Sequence, residues 1–148
     1  MILPVKVFTL LKDGAKLPEY KTEGAAGADI FSCLEAPIVL KPMERKLIPT
    51  GIAVQLPEGY ELQLRPRSGL ALKHGITVLN SPGTIDSDYR GELLALLINF
   101  GEKDFTVENG ERIAQVVLAK VERADFISSD KLDKTLRGSG GYGSTGIT

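Results

Sequence analysis

The chain has 148 residues, of which 43% are hydrophobic and 25% charged, with a formal net charge of −1. That balance belongs to one globular domain with a core of its own, and it offers no general basic field for stable nucleic-acid binding. No apolar run approaches a membrane span; a single cysteine and a single histidine exclude an intrachain disulfide and leave any His/Cys zinc site short of ligands.

In chain order, Met1–Val5 lacks a charged segment followed by a long apolar one. No signal peptide is expected, and the expected location is cytoplasmic. Alternating apolar residues from Pro4 to Leu10 predict a first strand. Gly24-Ala25-Ala26-Gly27-Ala28-Asp29-Ile30 is a run of small residues that permits close backbone approach. Asp29 there either supports a metal-bound water or merely stands in a turn entering a strand. Ile38 to Leu40 and Lys46 to Ile48 are short apolar stretches, and Tyr60 to Arg65 alternates as a half-buried strand does.

Arg65-Pro66-Arg67-Ser68-Gly69 then opens the one convincing helix. Ser68 is expected as its N-cap, Gly69 to Lys73 as its body and Gly75 as its stop. A helix start presents free N–H groups, so Arg67 and Ser68 form either a phosphate site or a plain cap. His74, in Leu72-Lys73-His74-Gly75, reads as the basic last turn rather than as a catalytic base. Hydrolytic chemistry would then depend on carboxylates with a soluble divalent metal.

Ile76 to Leu79 is a further strand. Asn80 to Glu92 reads as a rigid hairpin whose turn is fixed by Pro82 and Gly83. If that segment is extended, Asp86 and Asp88 share a face. They are then either a pair for metal binding or general-base work, or acceptors for turn N–H groups. Glu92 to Phe100 has helical propensity, but Gly91 and Gly101 bracket it, which predicts a fully buried strand. Asn109-Gly110 is read as a hairpin turn. Gln115 interrupts the apolar strand Arg112 to Leu118. It needs a backbone partner or a wet site, because an unpaired buried amide costs about 1–3 kcal/mol.

The chain turns polar from Ser128 and ends in Arg137-Gly138-Ser139-Gly140-Gly141-Tyr142-Gly143-Ser144-Thr145-Gly146. Two readings are open. Such a glycine-rich end is a flexible tail by composition. Its N–H groups, hydroxyls, arginine and aromatic ring also suit a polyphosphate carrying a base. It is not a Walker A loop, because no Gly-Lys-Ser/Thr follows. Roughly ten short strands and one short helix predict an all-β sandwich or jelly roll. Residues 1–127 form that domain, and 128–148 form a linker and tail.

Taken together, Ala26–Ile30, Pro66–Ala71, Gly83–Gly91, Gly110–Gln115 and Arg137–Gly146 strongly resemble, in order and across nearly the whole chain, the trimeric deoxyuridine triphosphatases (dUTPases). The family tail usually has phenylalanine where this chain has Tyr142, an exchange that keeps the stacking face. The resemblance implies a distorted jelly roll of the β-clip type, assembled as a homotrimer. It implies cleavage of dUTP to dUMP and diphosphate with Mg²⁺, which keeps uracil out of DNA and supplies dUMP for thymidylate synthesis. The C-terminal arm would close as a lid over a neighbouring subunit's site.

The same resemblance assigns Asp86 as the catalytic carboxylate that deprotonates the attacking water. It assigns Asn80, Gly83, Thr84, Ile85 and Tyr89 to uracil and sugar, and Arg67, Ser68, Gly69 and Gln115 to phosphates. Arg137, Tyr142, Gly143, Ser144 and Thr145 would close the lid. Mg²⁺ would have no direct protein ligand, with Asp29 holding one of its waters. Alternatives are a dCTP deaminase of the same fold, a non-catalytic nucleotide-binding module and a plain β-sandwich adhesion domain. The segments around Asp86 and Arg67 match the hydrolase pattern.

Overall fold

Leu62 and Leu64 are buried while Arg65 beside them is exposed, and this alternation makes Tyr60–Arg65 a strand with one face on the core. The same two-residue period recurs along the chain. The structure, a computed structural model, describes residues 3–147, so Met1, Ile2 and Thr148, at the ends of the two expected segments, lie outside it. In chain order the elements are β1 (Phe8–Leu11), β2 (Ala28–Phe31), β3 (Ile38–Leu40), β4 (Arg45–Gln55), β5 (Tyr60–Arg65), α1 (Ser68–His74), β6 (Ile76–Val78), β7 (Gly83–Ile85), β8 (Glu92–Asn99), β9 (Phe105–Val107) and β10 (Arg112–Lys120).

One four-stranded sheet runs β1-β4-β8-β6 and a second runs β2-β10-β5-β7, with β3 and β9 as a separate pair. Every pairing is antiparallel. Ile48, Ile52, Leu93 and Leu97 from the first sheet share one buried cluster with Ile30, Leu64, Ile113 and Val116 from the second. The expected all-β, jelly-roll-like architecture with one short helix is therefore what forms.

Several expectations change. The first strand is Phe8–Leu11 rather than Pro4 to Leu10, and β4 runs well past the Lys46 to Ile48 stretch. Its ladder with β8 breaks between Pro49 and Ala53, where proline has no N–H to give. The Glu92 side chain accepts the Gly51 N–H at 2.9 Å in the gap. β8 is a strand but not a fully buried one: Leu93, Ala95 and Leu97 face the core while Leu94 is exposed.

Neither expected hairpin forms. β6 pairs with β8 in the first sheet and β7 with β5 in the second, so the chain from Leu79 to Pro82 passes between layers instead of turning back. Asn109-Gly110 also joins strands that pair elsewhere, β9 with β3 and β10 with β2 and β5. Its turn is tied to the second sheet by the Gly110 N–H donating to Ser32 and by Asn109 Oδ1 accepting from the Leu34 N–H.

Asn99 shows how polar groups settle inside. It is completely buried, and its Nδ2 donates to the Leu40 and Lys103 carbonyls at 2.9 and 2.8 Å while Oδ1 accepts the Gly101 N–H at 2.8 Å. Asn99→Ala leaves all three backbone groups short of a partner, and the expected loss is about 3 kcal/mol. Urea unfolding at fixed protein concentration checks this; a loss under about 1 kcal/mol would mean that water replaces the amide.

Candidate active site

Asp86 follows directly on β7. Its carbonyl accepts the Tyr89 N–H at 3.2 Å, so residues 86–89 are a tight turn and not the extended segment that would put Asp86 and Asp88 on one face. Arg90 holds this turn from below, with Nη1 donating to the Ser87 carbonyl at 2.6 Å and the Tyr89 carbonyl at 3.1 Å. The Tyr89 hydroxyl donates to the Glu92 carbonyl at 3.0 Å, which fixes the ring. Between this turn and β7 lies a cavity of about 190 Å³ lined by Asn80, Gly83, Thr84, Ile85, Asp86 and Tyr89, with Leu64 and Leu94 among its apolar walls. That is room for one heterocycle with a sugar at its mouth. All the residues expected to read base and sugar, and the expected general base, meet here.

The expected phosphate residues lie apart, around the end of β10. None of Arg67, Ser68, Gly69 and Gln115 lines the Asp86 cavity. Ser68 is the first residue of α1 and not its cap. The N-cap is Arg67, extended at φ −95° and ψ 130°, with no side-chain cap bond. Arg67 takes that place because its carbonyl already accepts the Ala71 N–H at 3.1 Å, which leaves the Ser68 hydroxyl available. At the other end Gly75, at φ 69°, closes the helix, as expected of a left-handed cap. His74 packs its ring on Phe105 with centroids 5.1 Å apart and does not line the Asp86 cavity.

Gln115 resolves as a backbone-bonded amide, Nε2 donating to the Pro66 carbonyl at 2.9 Å. Its Oε1 occupies the space where a side chain at Gly27 would begin, which is the close approach expected of that small-residue run. Asp29, facing Gln115 in the β2–β10 register, is bound by two arginines. Arg67 Nε lies 3.4 Å from Oδ1 and Arg112 Nη1 3.3 Å from Oδ2. Arg112 went unnoticed in the sequence because its partner is 83 residues away. Glu19, bridged to Asp29 through the backbone, is held below the usual carboxylate range chiefly by the hydrogen bond from Lys21. Among the described residues no group of three or more His, Cys, Asp or Glu side chains is placed to hold a metal ion.

The tail meets neither patch. The last backbone bond from the body is the Val121 N–H to Gly59 at 2.9 Å. Every residue from 121 to 139 is exposed, including the apolar Phe126, Ile127, Leu132 and Leu136. Arg137 turns back on its own segment, Nε donating to the Gly140 carbonyl at 2.8 Å. Tyr142 is fully exposed, and Ser144 bonds only within the tail through its N–H to Gly141. Gly143, at φ 87°, and Thr145 are exposed beside them.

The family model of dUTPase matches residues 13–146, which takes in all three patches. The chain belongs to the dUTPase family. It is 68% identical to a deoxyuridine 5'-triphosphate nucleotidohydrolase of Treponema denticola over 143 residues, 97% of this chain and 99% of that one. It is 63% identical to the enzyme of that name from Chlamydia pneumoniae, over 96% of this chain and 99% of the relative. Among solved structures, the dUTPase of Staphylococcus bacteriophage 80alpha with dUPNHPP superposes with a TM-score of 0.87 at 29% identity, covering 96% of this chain and 99% of the phage protein. The dUTPase of phage phi11 of Staphylococcus aureus, described with a structural Mg(II) ion, gives 0.78 at 25% identity over 87% of this chain and 99% of that one. No helix among the described residues of this dUTPase-family chain is long and apolar enough to cross a membrane.

Proposed function

We propose that this chain hydrolyses dUTP to dUMP and diphosphate with Mg²⁺, as a cytoplasmic homotrimer in which each active site draws on three subunits. One observation carries the reading: the base pocket, the arginine patch and the tail do not meet within one chain, yet a single family match spans all three. Separate chains bring them together. Residues 122–136 can extend to about 50 Å at 3.3–3.6 Å per residue, and four exposed apolar side chains along them call for a partner surface. In this reading 1–127 is the jelly-roll domain, and 128–148 is the linker and the lid over a neighbour's site.

Uracil enters the cavity of Asn80, Gly83, Thr84 and Ile85. The Asn80 side chain and nearby backbone groups pair with its edge, and Tyr89 packs under the deoxyribose. Cytosine presents a donor where uracil presents an acceptor and leaves buried groups unpaired, and a site of this kind rejects such an analogue by about 10⁴–10⁵. Arg67, Ser68, Gly69 and Gln115 hold the phosphates. Asp86 accepts a proton from water as the water oxygen attacks the α-phosphorus. The bond from that phosphorus to the α–β bridging oxygen breaks, and diphosphate leaves.

A cation at this site has to bring ligands with it, which fits Mg²⁺, a hard ion that keeps water and binds through phosphates. Asp29 would accept a hydrogen bond from a metal-bound water with a lone pair that its arginines leave free. Bound there, Mg²⁺ neutralises triphosphate charge and favours diphosphate as a leaving group.

The test is a nucleotide panel with diphosphate readout. Turnover of dUTP with Mg²⁺ is expected, with dTTP, dCTP and UTP poor substrates. Absence of selective dUTP turnover defeats the reading, and ammonia released from dCTP would favour a deaminase of the same fold.

A further inference from the structure

We propose that Arg112 is a positioning residue for the phosphate site, acting through Asp29 on Arg67; the inference rests on the dUTP reading. The Asp29 carboxylate is divided between two guanidinium groups, Oδ1 to Arg67 Nε at 3.4 Å and Oδ2 to Arg112 Nη1 at 3.3 Å. Arg67 Nη1 also donates to the Arg112 backbone carbonyl at 3.1 Å. The Nε contact is an ion pair and the Nη1 contact a hydrogen bond, and neither uses Nη2, which is left for an anion. Asp29 is only 13% exposed, against 28% for Arg67 and 41% for Arg112. The carboxylate, the least exposed of the three, is thus the hinge and the arginines are its open arms.

Arginine and carboxylate prefer a two-bond fork. Without the Arg112 side chain, Oδ2 loses the cation that draws it away from Arg67 and can turn to Nη2 of Arg67. The pair then becomes bidentate and neutral, and the donor meant for phosphate is spent inside the protein. With Arg112 present, three charged groups sum to one positive charge and the fork stays half open. Arg112 therefore sets the aim of Arg67. The backbone bond from Arg67 to residue 112 does not depend on the side chain there, so substitution isolates the guanidinium. Arg112 is the exposed partner of this pair and Asp29 keeps Arg67 when it is removed, so the loss of stability is small and Arg112→Gln is expected to fold and assemble.

The experiment is calorimetric titration of the full chain with the α,β-imido analogue of dUTP plus Mg²⁺, and separately with dUMP. Wild type, Arg112→Gln, Arg67→Gln and the double variant are compared. Arg112→Gln is expected to weaken the triphosphate analogue about tenfold and dUMP less than about twofold. The double variant is expected to lie within about twofold of Arg67→Gln, because the two residues act as one unit. Arg112→Lys, which keeps the charge on Asp29, is expected to recover most of the loss. Equal weakening of both ligands indicates a merely structural role and overturns the proposal. Multiplied effects in the double variant indicate an independent contact and overturn it as well. A wild type that binds both nucleotides while Arg112→Gln matches it overturns this inference alone. A wild type that binds neither overturns the dUTP reading and this inference with it.

Discussion

Asp86→Asn is expected to bind the imido analogue of dUTP as the wild type does and to lose about 10²–10⁴ in turnover, the range for a positioned general base. The amide has the shape of the carboxylate and can still orient a water, but it cannot take the water's proton. The Asp86 carbonyl that accepts the Tyr89 N–H is backbone, so the turn and the tyrosine under the sugar are left intact. Single-turnover kinetics beside calorimetry separates the two quantities. Full activity in this variant would falsify the role given to Asp86, and equal losses in binding and turnover would recast it as a substrate contact.

Ending the chain at Leu136 is expected to leave the oligomer intact and to reduce turnover by about 10²–10⁴, from lost base stacking by Tyr142 and lost charge-assisted bonds from Arg137. The segment removed makes no described hydrogen bond to residues 3–127; its bonds run within the tail, Arg137 Nε to Gly140, the Ser144 N–H to Gly141 and the Gly146 N–H to Gly143, and one, the Gly138 N–H to Thr135 Oγ1, crosses the cut. Exposed Phe126 and Ile127 stay in the shortened chain, so any subunit exchange through them survives. Light scattering gives the mass and a diphosphate assay gives the rate. A shortened trimer with wild-type turnover would return the tail to the status of a linker. A shortened chain that falls to monomers would show that the tail holds the assembly together.

The sequence was most legible where the signal was local. The Gly75 stop of α1 follows from one residue's freedom to adopt positive φ, and β5 from six residues of alternation. Gly91 and Gly101 correctly marked β8 as a strand despite its leucines. What stayed hidden was partnership. Residues 80–92 carry every mark of a hairpin, yet β6 and β7 pair with different sheets, because pairing is decided by strands far away in the chain. Ser68 was expected to cap because its chemistry suits capping; extended backbone at Arg67 gave that place to its neighbour. The Lys46 to Ile48 stretch is only part of β4, which continues past Pro49 because that proline stands where the ladder with β8 opens.

The site divides the same way. Asp86, Tyr89 and Asn80 come from one short stretch, so their meeting could be foreseen. Asp29, Arg67 and Arg112 come from three, and nothing in the chain says that one carboxylate serves two arginines.

Gly27 carries a different kind of consequence. Its missing side chain is the room in which the Gln115 amide lies. Volume there is a shared possession, and any larger residue at 27 would contest it with Oε1 of an amide proposed to hold phosphate through its N–H groups. Substitution at 27 would then act by swinging the Gln115 amide off the Pro66 carbonyl, so its cost would show in nucleotide binding more than in folding.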